Sequence, residues 1–360
     1  MKNSLRSRPA LLWLVALLMA SIVSPVLNAQ DKTAPRPVMG NQIRQIKGNL
    51  YRAGNGAWHS IFLVTRGGII LADPLNKEYA TWLKQQLAER FHVPVKYVIY
   101  SHSHFDHAAG AAVFADTATI IAHAGVAANM DGRYPQMPGD MIDRNNNGLI
   151  DREDIMIPTT ADPGICGMSA SFFDQIDLNK DGIVTPAELQ ADIAKPDLYY
   201  SERMTISLGG KTVELMHPGN NHGNDMTVVY FPEERVVFAA DMIADALVRK
   251  DIRSLPSACG PFDGTPLREW IRSYKAVEAL DFDIFAGGHG DFYTKAEVAL
   301  PGQFLEDLYA AVDQALAQGK SLEQMKQQIM LEQYKDWAYY QRLREKNIEA
   351  AYLNLTKFRE

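Results

Sequence analysis

The stretch SHSHFDH, residues 101–107, constrains this chain more than any other. It follows VKYVIY, a short apolar run rich in β-branched and aromatic residues that reads as a buried strand. His102, His104, Asp106 and His107 then fall within six positions. In an extended segment side chains alternate, so His102 and His104 point the same way and both imidazoles reach one metal at ~2.0–2.1 Å. Asp106 and His107 lie where the chain turns and can face a second metal. A polar loop at a strand end explains four ligand-type residues in so short a run poorly.

The pattern resembles the HxHxDH motif of the metallo-β-lactamase superfamily. Further ligand-type residues follow in suitable places: His222 in HPGNNHGNDM, Asp241 in VVFAADM and His289 in AGGHGDF. The resemblance covers roughly residues 42–128 and 200–295, with a foreign block between them. It implies an αβ/βα sandwich: two facing sheets with helices outside. It also implies two zinc ions, one on His102, His104 and His222, the other on Asp106, His107 and His289, with Asp241 between them. His222 is preferred to His217 because the run from Pro218 to Asp225 has the spacing PGxxHxxD found in several lactamases. His59, His92 and His123 have no partner motif and read as structural.

The flanking pattern suits such a sheet. IRQIKGNLYRAG and SIFLVTRGGIILADPL read as strands, with a tight turn at Arg66-Gly67-Gly68. Asp73, at the end of the second, is either a turn residue or, by the resemblance, a support of the metal loop. Lys77 to Phe91 has helical spacing, with Tyr79, Leu83, Leu87 and Phe91 on one stripe. Residues 107–115 read as a helix and TATIIAH as a strand. Later, MTISLGGKTVELMHP reads as a hairpin through Gly209-Gly210, and residues 232–235 as a turn. Helices are expected from Trp270 to Leu280, over 303–318, and over 321–358 after a capping box of Ser321 and Gln324.

From residue 129 to 199 aliphatic strands give way to Asp, Asn, Gly and Pro. Two segments match the EF-hand loop pattern D-x-[DN]-x-[DN]-G-x₅-E. In DLNKDGIVTPAE the calcium ligands are Asp177, Asn179, Asp181, the Ile183 carbonyl, Thr185 and a bidentate Glu188. In DRNNNGLIDRED they are Asp143, Asn145, Asn147, Leu149, Asp151 and Asp154. The second match is weaker: Asp154 replaces Glu, and Pro135, Pro138 and Gly139 spoil an entering helix. The loops start 34 residues apart, as in a paired EF-hand, and predict one or two calcium ions on a small helical insert that acts as a structural staple. The fold class is therefore a metallo-β-lactamase-like sandwich, residues 42–128 and 200–300, with that insert and a helical C-terminal extension over 301–360.

Residues 1–29 read as a secretory signal: Lys2, Arg6 and Arg8, then an apolar run from Leu11 to Val23, then Leu27-Asn28-Ala29 before a cut. That run is shorter than the ~18–20 residues of a spanning helix, so no stable membrane anchor is expected. Residues 30–41 read as a linker, and the mature chain is expected in the periplasm or secreted. It would carry 33 basic against 43 acidic residues, which argues against a nucleic-acid partner. Cys166 and Cys259 lie in different regions, and sequence leaves open whether they pair.

The resemblance implies a hydrolase in which a hydroxide bridging two zincs attacks the activated carbonyl of a small molecule: a β-lactam, lactone, ester or thioester. Asp106 would orient that nucleophile as well as bind metal, so no Ser or Cys nucleophile is needed. One departure is that the Cys-using lactamases have Cys at the position of Asp241 and a substrate-binding Lys where this chain has Ala244; Arg249 or Lys250 are candidate substitutes. The alternatives are an iron-dependent redox protein of the same fold, persulfide dioxygenase-like, and a non-catalytic calcium-binding protein.

Overall fold

A computed structural model describes residues 40–56, 58–134, 143, 145–154, 170–242, 253–256, 262 and 264–358, without the side chains of 170–172. The expected leader, most of the linker, Cys166, Cys259, Ala244, Arg249 and Lys250 lie outside these residues.

The first half builds a seven-stranded sheet. It opens with β1 (Asn41–Lys47), β2 (Leu50–Asn55), β3 (Trp58–Thr65) and β4 (Gly68–Ala72), an antiparallel meander. Helix α1 (Lys77–Phe91) then crosses over, and β5 (Val95–Ile99) and β6 (Thr119–His123) add in parallel. Between these two strands lie the single turn α2 (Phe105–Ala108) and a 3₁₀ turn (Ala111–Phe114), in place of the continuous helix expected over 107–115. Gly110, at φ +90°, separates them, and a Cβ there would strike the Asn76 backbone at 2.6 Å. A further turn, α3 (Val126–Asn129), leads into the insert.

Both faces of the central strands β3 and β4 are buried, and their side chains divide by alternation. On β3, Ile61 and Leu63 enter the core facing the second sheet, while Phe62 enters the core under α1. On β4, Ile70 and Ala72 take the first direction, Ile69 and Leu71 the second. The α1 stripe of Tyr79, Leu83 and Leu87 fills that outer core, and Asn76 caps the helix by accepting from the Tyr79 N–H at 2.9 Å.

The insert holds β7 (Ile150–Asp151), α4 (Ala170–Ile176), β8 (Ile183–Val184) and α5 (Pro186–Gln190). The two short strands pair antiparallel, Ile150 opposite Val184, which sets the eighth positions of the two Asp-rich loops back to back. Ile150, Phe173, Ile176, Val184 and Leu189 make a small core of their own. β9 (Leu198–Tyr200) belongs to the main sheet, parallel to β6, so the insert returns before residue 198 and not at 199.

The second sheet has six strands in chain order: β10 (Arg203–Leu208), β11 (Lys211–Met216), β12 (Val228–Phe231), β13 (Val236–Ala239), β14 (Ile284–Gly287) and β15 (Phe292–Tyr293). Gly209 and Gly210, at φ +58° and +86°, form the two-residue turn between β10 and β11. Its inner face, with Val213, Leu215, Val229, Phe231, Val236 and Phe238, meets the first sheet. Its outer face is covered by α6 (Leu267–Glu278), α7 (Lys295–Ala317), α8 (Leu322–Gln328) and α9 (Tyr340–Lys357). The result is a mixed α/β sandwich with a helical C-terminal region.

Two further helix expectations are corrected. α7 begins at Lys295 and not at 303, because Thr294 and Glu297 form a capping box and the helix runs on through Pro301. The helix expected over 321–358 is broken between Gln328 and Tyr340: Leu331 and Tyr339 adopt left-handed backbone at φ 50° and 63° around a 3₁₀ turn (Glu332–Tyr334).

Candidate metal centre

The carboxyl ends of β4, β5, β13 and β14 converge, and each releases a functional side chain into its following loop. Asp73 follows β4, the His102–His107 segment follows β5, Asp241 follows β13 and His289 follows β14. Such strand ends are where sheets of this kind place their sites. His222 comes from the loop between β11 and β12.

Two clusters result. His102, His104, His222 and Asp241 offer ligand atoms all within 4.8 Å of one another, and so do Asp106, His107, Asp241 and His289. Asp241 is common to both. Its Oδ2 lies 3.0 Å from His107 Nε2, 3.5 Å from His102 Nε2 and 3.6 Å from His222 Nε2, and its Oδ1 lies 2.9 Å from His289 Nε2. It reaches this place from a left-handed backbone at φ 54°. His217 joins neither cluster: its Nδ1–H donates to the Met226 carbonyl at 2.8 Å, and its ring stacks on His123. His92 caps α1 at its C-terminus.

The donor set fits metal ions. His102 Nε2 is buried with no hydrogen-bond partner. His222 Nε2 faces His104 Nδ1 at 3.1 Å, and His107 Nε2 faces His289 Nε2 at 3.2 Å. Pairs of imidazole nitrogens at that separation need a proton or a cation between them. Nitrogen and carboxylate donors with no thiolate suit zinc.

Electrostatics divide the clusters. Burial, then the neighbouring rings, hold His102 well below the usual imidazole range and bring His222 down to about 4, so both offer lone pairs at neutral pH. In the other cluster burial also opposes charge on His107 and His289, but Asp241 and Asp106 outweigh it. His107 rises well above the usual range and His289 to about 9. Burial would raise Asp106 and Asp241, yet the facing imidazoles hold both well below the usual carboxylate range.

A supporting set fixes these groups. Asp73, fully buried, accepts from the Ser101 N–H at 2.8 Å, from Ser101 Oγ at 2.7 Å and from His107 Nδ1–H at 2.9 Å. Ser101 Oγ in turn meets His102 Nδ1 at 3.0 Å. Both rings thereby present Nε2 to the site. Asp225 Oδ2 accepts from the Ser103 N–H at 2.9 Å, tying the His222 loop to the metal loop. Sequence reasoning did not single out Trp58, whose Nε1–H donates to Asp106 Oδ2 at 3.1 Å while its ring stands edge-on to His289. His59 and Arg52 grip the His289 loop: the His59 N–H donates to the Gly288 carbonyl at 2.8 Å and Arg52 Nη1 to the Gly290 carbonyl at 3.1 Å.

The family model of the metallo-beta-lactamase superfamily matches residues 59–289, and the chain belongs to that superfamily. It is 23% identical over 250 residues to the 2,4-dinitroanisole O-demethylase subunit alpha of Nocardioides sp. (strain JS1661), across 68% of this chain and 56% of that protein. The chain thus spans little more than half the length of that curated relative. Among solved structures it is similar to the stereoselective inverting sec-alkylsulfatase Pisa1 from Pseudomonas sp., with TM-score 0.56 and 16% identity over 88% of this chain and 50% of that one. It also matches a metallo-beta-lactamase from Pontibacter korlensis, with TM-score 0.49 and 16% identity over 74% of this chain and 99% of that one. The likeness to Pisa1 speaks to the fold alone.

Proposed function

We propose that the chain is an exported dinuclear zinc hydrolase of small molecules with an activated carbonyl, its ligands being His102, His104 and His222 on one side, Asp106, His107 and His289 on the other, and Asp241 between. The observation that carries this reading is the single carboxylate of Asp241 shared by two histidine-rich clusters. Two zinc ions bound there would supply Lewis acidity and water acidified toward neutral pH. The protein's own part is to hold that geometry. Asp106 stays ionised and is steadied by Trp58, so it can orient a nucleophile as well as bind metal. His102 and His107 are buried and held through Ser101 and Asp73, while His222, His289 and Asp106 keep some exposure to solvent.

The name of the curated relative supports widening the substrate class. 2,4-Dinitroanisole and an activated ester share a carbon bound to oxygen whose departure leaves a stable anion. The panel therefore includes β-lactams, lactones, thioesters, activated esters and that aryl ether. The wild-type protein is expected to carry two zincs and turn over one class, His104→Ala to lose turnover, and Asp106→Asn to lose orders of magnitude with the fold intact. Two zincs without turnover of any class would refute the reading, as would iron in the site with consumption of oxygen.

Two finer points belong to the same reading. The Asp177–Glu188 loop takes calcium: Asp177 is buried beside Asn179, Asp181 and Glu188, an all-oxygen set. The Asp143–Asp154 loop is a second and weaker calcium site, since the shorter Asp154 stands where Glu188 stands in its partner. Export rests on residues 1–29, and the mature protein should begin near Gln30 by N-terminal sequencing. Among the described residues no helix is long and apolar enough to cross a membrane.

A further inference from the structure

Among the described residues, the side chain of Phe105 joins the metal loop to the core of the insert. Phe105 stands between His104 and Asp106, which belong to different clusters of the centre. Its ring packs against the insert core of Ile150, Phe173, Ile176, Val184 and Leu189, and also against the core under the first sheet. Backbone contacts continue the seam. The Gly110 N–H donates to the Asp192 carbonyl at 3.0 Å, and Ala109 bridges Ile193. Gln190 donates to the carbonyls of Asn129 and Arg133 at 3.0 and 3.1 Å. Asn129 donates to Asn224 at 2.9 Å, in the loop that carries His222. The segment from Asp177 to Ile193 thus leans, directly and through Asn129, on two of the three stretches of chain that bring ligands to the first cluster.

Within that segment sits a buried negative charge with no cation paired to it among the described residues. Asp177 is 2% exposed. Its Oδ2 accepts from the Gly182 N–H at 3.0 Å, while its Oδ1 is buried without any hydrogen-bond partner. Uncompensated charge in such a place is costly, and a bound cation removes the cost. Glu188 is already turned into the loop, accepting from the N–H groups of Asn179 and Thr185 at 3.2 and 2.8 Å. Oxygen donors without nitrogen or sulfur select calcium over zinc.

We infer that calcium bound by the Asp177–Glu188 loop raises the zinc affinity of the dinuclear centre, with Phe105 as the link between them; this rests on the calcium and zinc readings above. Without the cation, Asp177, Asp181 and Glu188 repel one another, and the loop that fixes α4 and β8 loosens. Phe173, Ile176 and Val184 then cease to be a firm wall for Phe105. The turn bearing His104, Asp106 and His107 gains freedom that zinc must remove on binding, and zinc affinity falls. Coupling of this kind is reciprocal, so zinc must tighten calcium by the same factor.

The test measures zinc affinity of the full chain by competition with a chromophoric chelator, with and without millimolar calcium, alongside calcium calorimetry on zinc-free and zinc-loaded protein. Calcium should tighten zinc binding by ~5-fold or more, and zinc should tighten calcium equally. Glu188→Gln should lose both effects. Zinc-free Phe105→Ala should bind calcium as the zinc-free wild type does yet show no calcium effect on zinc and no zinc effect on calcium; Phe105→Leu, a smaller disturbance, should show a reduced effect and serves if the alanine variant does not fold. Calcium binding that leaves zinc affinity unchanged overturns the coupling while the calcium site stands. Absence of calcium binding at millimolar concentration overturns the calcium reading and the coupling with it. Turnover is not the readout, so the hydrolase reading stands or falls separately.

Discussion

Trp58 is the residue whose role a single substitution isolates best. The indole N–H is a donor only, and it occupies one lone pair of Asp106 Oδ2, leaving the rest of the carboxylate for the site. Trp58→Phe keeps the ring against His289 and removes the donor. Loss of such a supporting bond typically costs ~10–100-fold in metal affinity. The second zinc should weaken by that factor while the first, on His102, His104 and His222, is unchanged; equal weakening of both in a chelator titration would refute the assignment. Asp73→Asn is the companion variant: asparagine tolerates the φ of 57° found there, so the change removes charge with little backbone cost. Buried donors on Ser101 and His107 then lose their best acceptor, and a destabilisation of about 2–3 kcal/mol is expected in urea unfolding. The sequence made the four ligand-type residues of 102–107 legible because they share one loop. Asp241 and His289 stand alone in their segments and were legible through resemblance alone. Trp58 left no trace, since its partner lies 48 positions away, and Asp225 was legible as the end of the PGxxHxxD run but not as the acceptor for Ser103, 122 positions away.

Among the elements, those with a regular apolar stripe or a glycine turn were legible, and those set by tertiary contact were not. The α1 stripe gave its bounds from Lys77 to Phe91, and Gly209-Gly210 gave the β10–β11 turn. The helix expected over 303–318 starts just past Pro301 and Gly302, residue types that are poor in a helix interior. Gly302 lies against Tyr274 of α6, where a Cβ would come within 3.1 Å, so the pair marks a close helix crossing and not an end. The break between α8 and α9 depends on left-handed Leu331 and Tyr339, residue types that carry no turn signal; the Tyr334 hydroxyl donating to Asp307 at 2.7 Å anchors the 3₁₀ turn between them. The capping box at the start of α7 gives a test at this scale. Thr294 Oγ1 accepts from the Glu297 N–H, and Glu297 accepts from the Thr294 N–H at 2.7 Å. Thr294→Ala should cost about 1 kcal/mol in denaturant unfolding, and Thr294→Ser should restore most of it.

At the scale of the whole sandwich, the candidate centre sits across the seam between the sheets. His102, His104, Asp106 and His107 follow the fifth strand of the first sheet, whereas His222, Asp241 and His289 belong to loops of the second. Each cluster takes ligands from both sheets, so each bound ion would join the two. The apolar core between the sheets already holds them together, with Ile61, Leu63, Val229 and Phe238 fully buried, so the ions add to a folded structure and do not create it. A ligand present at a thousand times its Kd stabilises by about 4 kcal/mol, and two such ions by about twice that. Spread over the unfolding entropy of a domain above 150–250 residues, this is a shift on the order of 10 °C. Removing zinc with a chelator at fixed calcium should lower Tm in scanning calorimetry by about that much, and restoring zinc should recover it. His102→Ala should show a smaller zinc-dependent shift, because the second cluster keeps its own ligands from both sheets. If stripped and zinc-loaded protein melt at one temperature, zinc does not bind selectively to the folded state, and the centre does not join the two sheets.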